Sequence, residues 1–286
     1  MADCISYRNT NYFSELLLDY LEEKENLREF YSQFPLLENF KKQVETKQNS
    51  FTLEHRKVLV KSLQLQYENV EVSEATQENI QSLTEENTFT VTTGHQLNLF
   101  TGPLYFLYKI ISAINLAKEL KETYPEYNFV PIYWMASEDH DFEEISWVYG
   151  KKSKHFWDVE TSSKMVGSLG LGGLLKVFES WKKDNDKGIK EIEDVLNISI
   201  ENNETYSQFF IRLMHLWYAD LGLIVIDASQ KRLKEIFAPI MRKELSGEGI
   251  SSFVKQGPIK PRDINLFYIH ENGDRIGVIN SDDGPI

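Results

Sequence analysis

Two short segments of the sequence contain the residue types that could carry chemistry. The first, residues 94–102, is called here the glycine loop: Gly94 and Gly102 stand at its ends, and His95 and Gln96 follow the first glycine. Glycine lets the backbone come close to a bound group, and an imidazole and an amide can both hydrogen-bond a polar ligand. The glycine loop therefore has the composition of a small binding site.

The second segment, residues 136–145 ("ASEDHDFEEI"), is called here the acidic loop and surrounds one histidine with carboxylates. Its ionisable residues are Glu138, Asp139, His140, Asp141, Glu143 and Glu144. Carboxylates at this density stay ionised only beside water, a metal ion or cationic side chains. A hard metal ion would suit them, and His140 could be a ligand or a general base. The alternative is a solvated first turn of a helix, where acidic residues are favourable.

The sequence around the two loops predicts the elements that position them. Residues 89–93 are typical of a strand, residues 103–124 of a helix, and the nearly all-apolar residues 129–137 of a second strand. Pro103 suits the first position of the helix, because its missing N–H would be unpaired there anyway. A strand–helix–strand unit predicts parallel strands buried on both faces. A later apolar run, residues 221–229, predicts a further strand.

Both loops follow predicted parallel strands, and ligands bind beyond the carboxyl ends of such strands in doubly wound sheets. If the strands are neighbours, the loops converge on one cleft. The glycine loop also leads into a helix N-terminus, which favours an anion such as a phosphate or a carboxylate. Lys109, about two turns into that helix, could reach back to the anion. The alternative is a plain tight turn with Lys109 on a solvated face, and the pattern matches neither a Walker loop nor a GxGxxG motif.

Composition excludes several classes of function. The 286 residues include 31 Lys and Arg against 44 Asp and Glu, a net charge of −13, which argues against a nucleic-acid partner. The single cysteine, Cys4, excludes a disulfide framework and a cysteine-based zinc site. No segment approaches ~20 uninterrupted apolar residues, and no signal peptide is evident, so we expect no membrane span and a cytoplasmic location.

The distribution of helical and strand-like patterns predicts two regions. We expect residues 1–88 to form a helical region packed on a core of residues 89–286, with an insertion at about 150–205. The last residues predict a hairpin that turns at Asn272-Gly273. Four further histidines are expected to be packing, surface, loop or edge residues: His55, His155, His215 and His270.

The glycine loop with its helix, "TGHQLNLFTGPLYFLYKIISAINLA", and the strand with the acidic loop, "VPIYWMASEDHDFEEI", resemble the bacillithiol biosynthesis cysteine-adding enzymes. The segments "TNYFSELLLDYL" and "LFYIHENGDRIGVI" resemble the same family, so the resemblance covers nearly the whole chain. It implies an α/β fold: a Rossmann-like parallel sheet with inserted connecting segments, likened to class I aminoacyl-tRNA synthetases. Family members are longer, so it also implies that the rest of the core and a coiled-coil arm, through which a homodimer forms, are missing here.

The resemblance implies a reaction as well. The family is assigned the ligation of cysteine to glucosaminyl-malate, which forms the low-molecular-weight thiol bacillithiol. ATP, with Mg²⁺, would convert the cysteine carboxylate to an adenylate, and the glucosamine amine would then attack it. Residues 161–165 ("TSSKM") resemble the KMSKS loop of class I synthetases only superficially.

The family motifs match residues of both loops. In the glycine loop and at the start of its helix, the matching residues would hold a phosphate or the malate carboxylates, and Lys109 would balance the charge. These residues are Gly94, Gln96, Thr101, Gly102 and Pro103. Those of the acidic loop are Glu138, Asp139, His140 and Asp141. The resemblance makes His140 the base for the attacking amine and Asp139 or Asp141 its orienting partner. Many relatives have glutamine where this chain has His95, so His95 is expected to hydrogen-bond the substrate, and no residue is assigned as a metal ligand.

Two other functions fit the same residues. A metal-dependent hydrolase or phosphoesterase would use the acidic loop and require a bound ion. A non-catalytic scaffold fragment would account for the helical region and the shortened chain.

Overall fold

The computed structural model describes residues 4–159, 164–184, 190–255, 257–281 and 284–285. Contacts between residues divide the chain into two compact units. The smaller unit comprises Met1–Ser50, Ile240–Asn265 and Ile279–Ile286, and the larger comprises Phe51–Pro239 and Leu266–Val278. Residues 51–88 thus lie in the larger unit, while the predicted domain boundary at residue 88 stays a prediction.

Helices account for most of the regular structure. Within the described residues the α-helices, in chain order, are α1 (Glu15–Leu21), α2 (Phe40–Gln48), α3 (Leu53–Gln66), α4 (Glu74–Ser82), α5 (Leu104–Thr123), α6 (Phe142–Ile145), α7 (Leu174–Lys183), α8 (Lys190–Glu201), α9 (Tyr206–Tyr218), α10 (Lys231–Leu245) and α11 (Ile250–Val254). None of them is both long enough and apolar enough to cross a membrane.

Strands occur in both units, and the main sheet lies in the larger one. In chain order they are β1 (Thr88–His95), β2 (Asn128–Met135), β3 (Trp147–Tyr149), β4 (Lys154–Phe156), β5 (Ile224–Asp227), β6 (Phe267–Ile269), β7 (Arg275–Gly277), β8 (Asn280–Ser281) and β9 (Gly284–Pro285). The main sheet is parallel in the order β1-β2-β5, and the other strands form antiparallel pairs. The predicted α/β, Rossmann-like parallel sheet is confirmed.

Burial explains why two strands of the sheet read as continuous apolar runs. Every residue of β5 is buried, as are six of the eight residues of β2. Helix α5 packs behind the sheet through Phe106, whose ring contacts Tyr133 of β2 edge to face at 5.4 Å between centroids. Phe210 of α9 contacts the same two rings. A strand covered on both faces has no solvated side, so β2 and β5 lose the alternation of apolar and polar residues.

The outer edge of β5 is closed by side chains from the end of α3. The amide of Gln66 donates to the carbonyl oxygen of Val225 at 2.8 Å and accepts from the N–H of Asp227 at 2.9 Å. The hydroxyl of Tyr67 accepts from the N–H of Val225 at 2.9 Å. Unpaired backbone groups at a strand edge cost free energy when buried and can pair with another chain when exposed. These two side chains pair with the edge of β5 in place of a neighbouring strand.

Element boundaries differ slightly from those predicted. Strand β1 continues through His95, two residues past the predicted end, and Pro103 is the residue before α5 rather than its first helical residue. Strand β5 begins at Ile224 because Ala219–Leu221 form a 3-10 turn that ends at the left-handed Gly222 (φ 72°). The predicted C-terminal hairpin is present as β6–β7, with Gly273 at φ 92° in its turn.

In the smaller unit, a buried carboxylate organises the chain after α10. Glu244 is 6% exposed and accepts hydrogen bonds from the backbone N–H groups of Ser251 at 3.2 Å and Asn265 at 2.8 Å. The ring of Tyr20 in α1 packs with those of Tyr31 and Phe34, which follow the helix.

Candidate active site

The parallel register of β1 and β2 brings the glycine loop and the acidic loop to the same edge of the sheet. His95 lies opposite Met135 at the ends of the two strands, and the N–H of Ala136 donates to the carbonyl oxygen of His95 at 3.0 Å. The amide nitrogen of Gln96 donates to the carboxylates of Asp139 at 3.2 Å and Glu144 at 2.6 Å. The convergence expected from the sequence is confirmed, and Gln96 is the side chain that joins the loops.

The end of the glycine loop has a left-handed backbone at three consecutive residues. Phe100, Thr101 and Gly102 have φ values of 46°, 82° and 62°, and each such non-glycine residue costs on the order of 1–3 kcal/mol. Burial of the Phe100 ring, which stacks on Trp181 at 5.0 Å, offsets part of this cost. A Cβ at Gly102 would lie 2.4 Å from Cβ of Asn98, so this position needs glycine for space as well as for φ. The loop is therefore held in a strained conformation directly before α5.

Lys109 reaches back from α5 to the end of β1, which is one of the two arrangements that its spacing allowed. Its ammonium donates to the carbonyl oxygen of Gly94. Gly94 itself lies in β1, where an added Cβ would be 3.3 Å from the carbonyl oxygen of Trp134 in the neighbouring strand. Among the described residues, no carboxylate lies within salt-bridge distance of Lys109, so its charge remains available to an anion at this edge of the sheet.

His95 is held as a neutral imidazole. Its Nδ1 accepts a hydrogen bond from the N–H of Gln96 at 2.7 Å, and its ring stacks on that of Tyr105 with centroids 5.2 Å apart. Burial, and to a smaller extent the nearby charge of Lys109, lowers the pKa of His95. Its Nε2 is buried and has no hydrogen-bond partner in the described part of the chain. Contact between His95 and a substrate would require Tyr105 or the imidazole itself to move, and the expected contact stays a prediction.

Asp139 is the most highly hydrogen-bonded carboxylate of the acidic loop. Its Oδ1 accepts from the N–H of His140 at 2.8 Å, and its Oδ2 accepts from Gln96. Burial raises the pKa of Asp139, but the hydrogen bonds from His140 and Gln96, together with the charge of Arg275, outweigh that effect and lower the pKa overall. Asp139 is therefore an anion at neutral pH.

The neighbouring acids have separate partners. Glu138 forms an ion pair with Lys234 of α10, and Asp141 caps the single turn of α6 by accepting from the N–H of Glu144 at 3.3 Å. No three His, Cys, Asp or Glu side chains of the described residues are grouped so that they could hold a metal ion. The metal-dependent hydrolase therefore gains no support from this loop.

Arg275 is a site residue that the local patterns did not identify. It lies in β7, 135 residues after His140. Its Nη1 is 2.9 Å from Nδ1 of His140 and 3.3 Å from Oδ1 of Asp139, and its guanidinium lies 3.7 Å from the centre of the Phe267 ring. The density of carboxylates in the acidic loop was the available signal, because it called for water, a metal ion or cationic side chains without indicating which of these is present.

Ser137 was missed as well, and it ties the acidic loop to β5. Its hydroxyl donates to Oδ1 of Asp227 at 2.6 Å, and both side chains are almost fully buried. The N–H of Gly167 donates to the carbonyl oxygen of Ser137 at 2.9 Å, and a Cβ at Gly167 would lie 2.5 Å from Cβ of Ser137. The carboxyl ends of β2 and β5 are thereby joined beneath the loop.

The remaining predictions concern residues away from this edge. His155 is buried in β4 and bonds to Ser180 at 2.9 Å and Asp184 at 3.3 Å, which fixes the β3–β4 hairpin to the end of α7. Of the "TSSKM" segment, residues 161–163 lie outside the described residues.

Comparisons with known proteins agree on one family. A sequence-family model described as the N-terminal Rossmann-like domain of the bacillithiol biosynthesis protein BshC matches residues 1–285. A protein from Flavobacterium johnsoniae is 44% identical over 285 residues, covering 95% of this chain and 53% of the relative. One from Flavobacterium psychrophilum is 46% identical over 287 residues, with the same coverage. One from Bacillus anthracis is 29% identical over 243 residues, covering 81% and 44%.

These three relatives carry the name "Putative cysteine ligase BshC". The chain spans about half the length of the curated relatives it matches.

Proposed function

Because this chain belongs to the bacillithiol biosynthesis BshC family and matches its N-terminal Rossmann-like domain, we propose that it takes part in the ligation of cysteine to glucosaminyl-malate. The names of the relatives support a cysteine ligase. The observation that carries the proposal is the Gln96 bridge, which joins the glycine loop and the acidic loop at the carboxyl edge of the sheet. The turn that we propose to bind an anion thereby lies beside a histidine with its carboxylates.

The glycine loop suits the anionic groups of the substrates. Helix α5 is 20 residues long and directs its N-terminus towards this loop, and the partial positive charge there favours a phosphate or a carboxylate. Thr101, Gly102 and Lys109 are the residues that we propose to hold that group, and Lys109 supplies a charge that no described carboxylate neutralises. Gln96 would join them only by releasing Asp139 or Glu144, which accept both of its amide hydrogens. In this proposal, Gly94 presents the carbonyl oxygen that keeps Lys109 at the strand end.

A carboxylate must be activated before an amine can displace its oxygen. We propose that ATP, with Mg²⁺, supplies that activation when it is bound. The donor set of the glycine loop fits a phosphoryl group, because it combines a helix N-terminus with the ammonium of Lys109. The chain's contribution is to bind and orient the anionic groups and to keep the reacting carbonyl next to the acidic loop.

The acidic loop provides the proposed catalytic group. The side chain of His140 is 43% exposed, against 26% for Asp139, so His140 is the member of the pair that a substrate can reach. Glu138 contributes through its ion pair with Lys234, and Asp141 through its cap at the start of α6. Asp139 is the carboxylate that holds the backbone of His140 in place.

The resemblance also supports proposals about assembly and location. We propose that the natural protein is a homodimer through a coiled-coil arm and that it works in the cytoplasm, where ATP and cysteine are available. The mass in solution, measured by light scattering, of the protein purified from its natural host tests the first of these. A monomeric mass would contradict it.

The thiol content of the source organism tests the proposed function. Cells with the intact gene should contain bacillithiol, and cells without it should lose bacillithiol and accumulate glucosaminyl-malate. Return of the gene should restore the thiol, whereas return of a His140→Ala form should not. Bacillithiol that is absent from the unaltered cells, or unchanged by the deletion, would remove the proposed function.

A further inference from the structure

Arg275 contacts His140 through the ring nitrogen Nδ1. The Nη1–Nδ1 distance is 2.9 Å, which is within the usual range for a hydrogen bond. An arginine side chain has donors only and remains protonated throughout the pH range in which proteins fold. The hydrogen in this bond therefore comes from Arg275, and Nδ1 of His140 is the acceptor.

The position of the remaining ring hydrogen follows from that assignment. A neutral imidazole has one donor nitrogen and one acceptor nitrogen, and the bond made by one nitrogen determines the state of the other. With Nδ1 as the acceptor, the hydrogen of neutral His140 lies on Nε2. Within the described residues Nε2 has no hydrogen-bond partner, so it is the nitrogen left to meet a ligand, and it does so as a donor.

Arg275 also prevents a direct pair between His140 and Asp139. Oδ1 of Asp139 lies 3.5 Å from Nδ1 of His140, and both atoms accept from Nη1 of Arg275. In an Asp–His dyad of the hydrolase type, the carboxylate accepts from Nδ1–H and leaves Nε2 free to take up a proton. That dyad requires a hydrogen on Nδ1, and the contact with Arg275 excludes it.

The guanidinium of Arg275 is held from several sides. Arg275 pairs with Ile269 across the β6–β7 hairpin, and its guanidinium lies over the ring of Phe267. The turn of the hairpin is attached to the chain before α7, because the N–H of Met165 donates to the carbonyl oxygen of Gly273 at 3.2 Å. Fixed in this way, Arg275 can impose a single orientation on His140 before any ligand arrives.

We propose that Arg275 is a positioning residue that fixes His140 with its hydrogen on Nε2, so that His140 meets an oxyanion of the substrate as a hydrogen-bond donor. The inference rests on the proposed function, which brings phosphoryl and carboxylate oxygens to this cleft. A donor held in place stabilises negative charge on such an oxygen and does so without taking up a proton. His140 would then act by stabilising charge, in place of the base that the family resemblance implied.

Nitrogen NMR of the 286-residue chain, labelled with ¹⁵N in histidine, tests the positioning role directly. Correlation of the ring nitrogens with the carbon-bound hydrogens distinguishes the two neutral forms, and loss of a signal in His140→Gln assigns it. We expect His140 to show only the form with hydrogen on Nε2. Arg275→Met should give a mixture of forms, Arg275→Lys should restore the single form because a donor is retained, and Arg232→Met, at an exposed position of α10, should change nothing.

Two results would overturn the positioning role. One is a hydrogen on Nδ1 of His140 in the unaltered chain. The other is a His140 signal that does not change in Arg275→Met. A purely structural role for Arg275 would alter the stability of the chain without altering the ratio of the two ring forms.

Titration of the labelled chain with ATP and Mg²⁺, and separately with malate, tests the donor role and distinguishes the two sources of the oxyanion. The compound that binds at Nε2 should shift the signal of that nitrogen. A shift with ATP alone identifies a phosphoryl oxygen, and a shift with malate alone identifies a carboxylate. An unchanged Nε2 signal with both compounds would overturn the donor role.

Rates of bacillithiol formation provide a second test, in extracts of cells that carry each variant gene. Glutamine can place an amide N–H where Nε2 lies, whereas asparagine preserves an acceptor for Arg275 but has no donor at that point. His140→Gln should retain a rate within about 10-fold, and His140→Asn should lose about 100-fold. Equal losses in the two variants would overturn the donor role. Bacillithiol that does not depend on the gene would instead remove the proposed function, and the NMR result would still decide the ring form.

Discussion

The side chain of Gln96 donates to the carboxylate of Asp139 at 3.2 Å, from one strand end to the next. Its amide nitrogen has a second acceptor in Glu144, at 2.6 Å. Both hydrogens of one amide are thus used between the glycine loop and the acidic loop. A single neutral side chain thereby sets the spacing of the proposed anion site and the proposed catalytic histidine.

Replacement of Gln96 should separate the two loops. Gln96→Leu leaves two carboxylates without their shared donor, which should lower the free energy of unfolding by about 1–2 kcal/mol. It should also lower the rate of bacillithiol formation about 10-fold or more, because small displacements of reacting groups are costly. Urea unfolding and the extract assay measure the two effects. Gln77→Leu, at an exposed position of α4, is the matched control, and an equal effect in that variant would contradict the bridging role.

The lowered pKa of His95 predicts a loss of stability in mild acid. Below the ordinary histidine pKa of about 6.5, the unfolded chain binds a proton at this residue while the folded chain does not. The stability is therefore fully present above that pH and is lost as the pH falls towards the lowered pKa. The free energy of unfolding, measured in urea between about pH 7.5 and pH 5.5, should fall less steeply in His95→Gln. His215, whose pKa is also lowered by burial, contributes in the same direction. An unchanged slope in His95→Gln would contradict this assignment.

Gly102 should tolerate no side chain. Gly102→Ala would place a Cβ at 2.4 Å from that of Asn98 and would force alanine to φ 62°. The combined steric and backbone cost should lower the free energy of unfolding by about 2–4 kcal/mol. Gly172→Ala, where an added Cβ meets nothing within 4 Å, should change the urea midpoint very little. An equal loss of stability in the two variants would show that the packing and backbone conformation at Gly102 do not require glycine.

Substitution of His155 should lower the stability of the chain without abolishing bacillithiol formation. Its two ring nitrogens bond to Ser180 and Asp184, and removal of the imidazole leaves a buried gap between the β3–β4 hairpin and α7. His155→Ala should lower the free energy of unfolding by about 2–4 kcal/mol. His270→Ala, at an exposed position after β6, should stay within about 0.5 kcal/mol. Bacillithiol formation, measured well below the melting temperature of the variant, should persist in His155→Ala, and its loss would place His155 in the chemistry.

The local sequence determined the parts of the site that depend on local interactions. The apolar run before Ser137 is typical of a strand buried on both faces, and a strand–helix–strand unit with short connections forms parallel neighbours. Those two facts place the glycine loop and the acidic loop at one edge of the sheet and bring Lys109 within reach of Gly94. The family motifs lie in the same two loops, so the family could be identified from them as well.

Only the tertiary structure decided which side chains those loops contact. Arg275 reaches His140 because a hairpin 135 residues further along the chain packs beside the acidic loop. The imidazole of His95 is stacked on Tyr105 because the first turn of α5 places that ring against it. Contacts of this kind depend on how distant segments fill space together, and the spacing of residues along the chain carries no record of that packing. Which ring nitrogen of His95 or His140 carries the hydrogen is therefore determined by neighbouring residues that local sequence patterns do not identify.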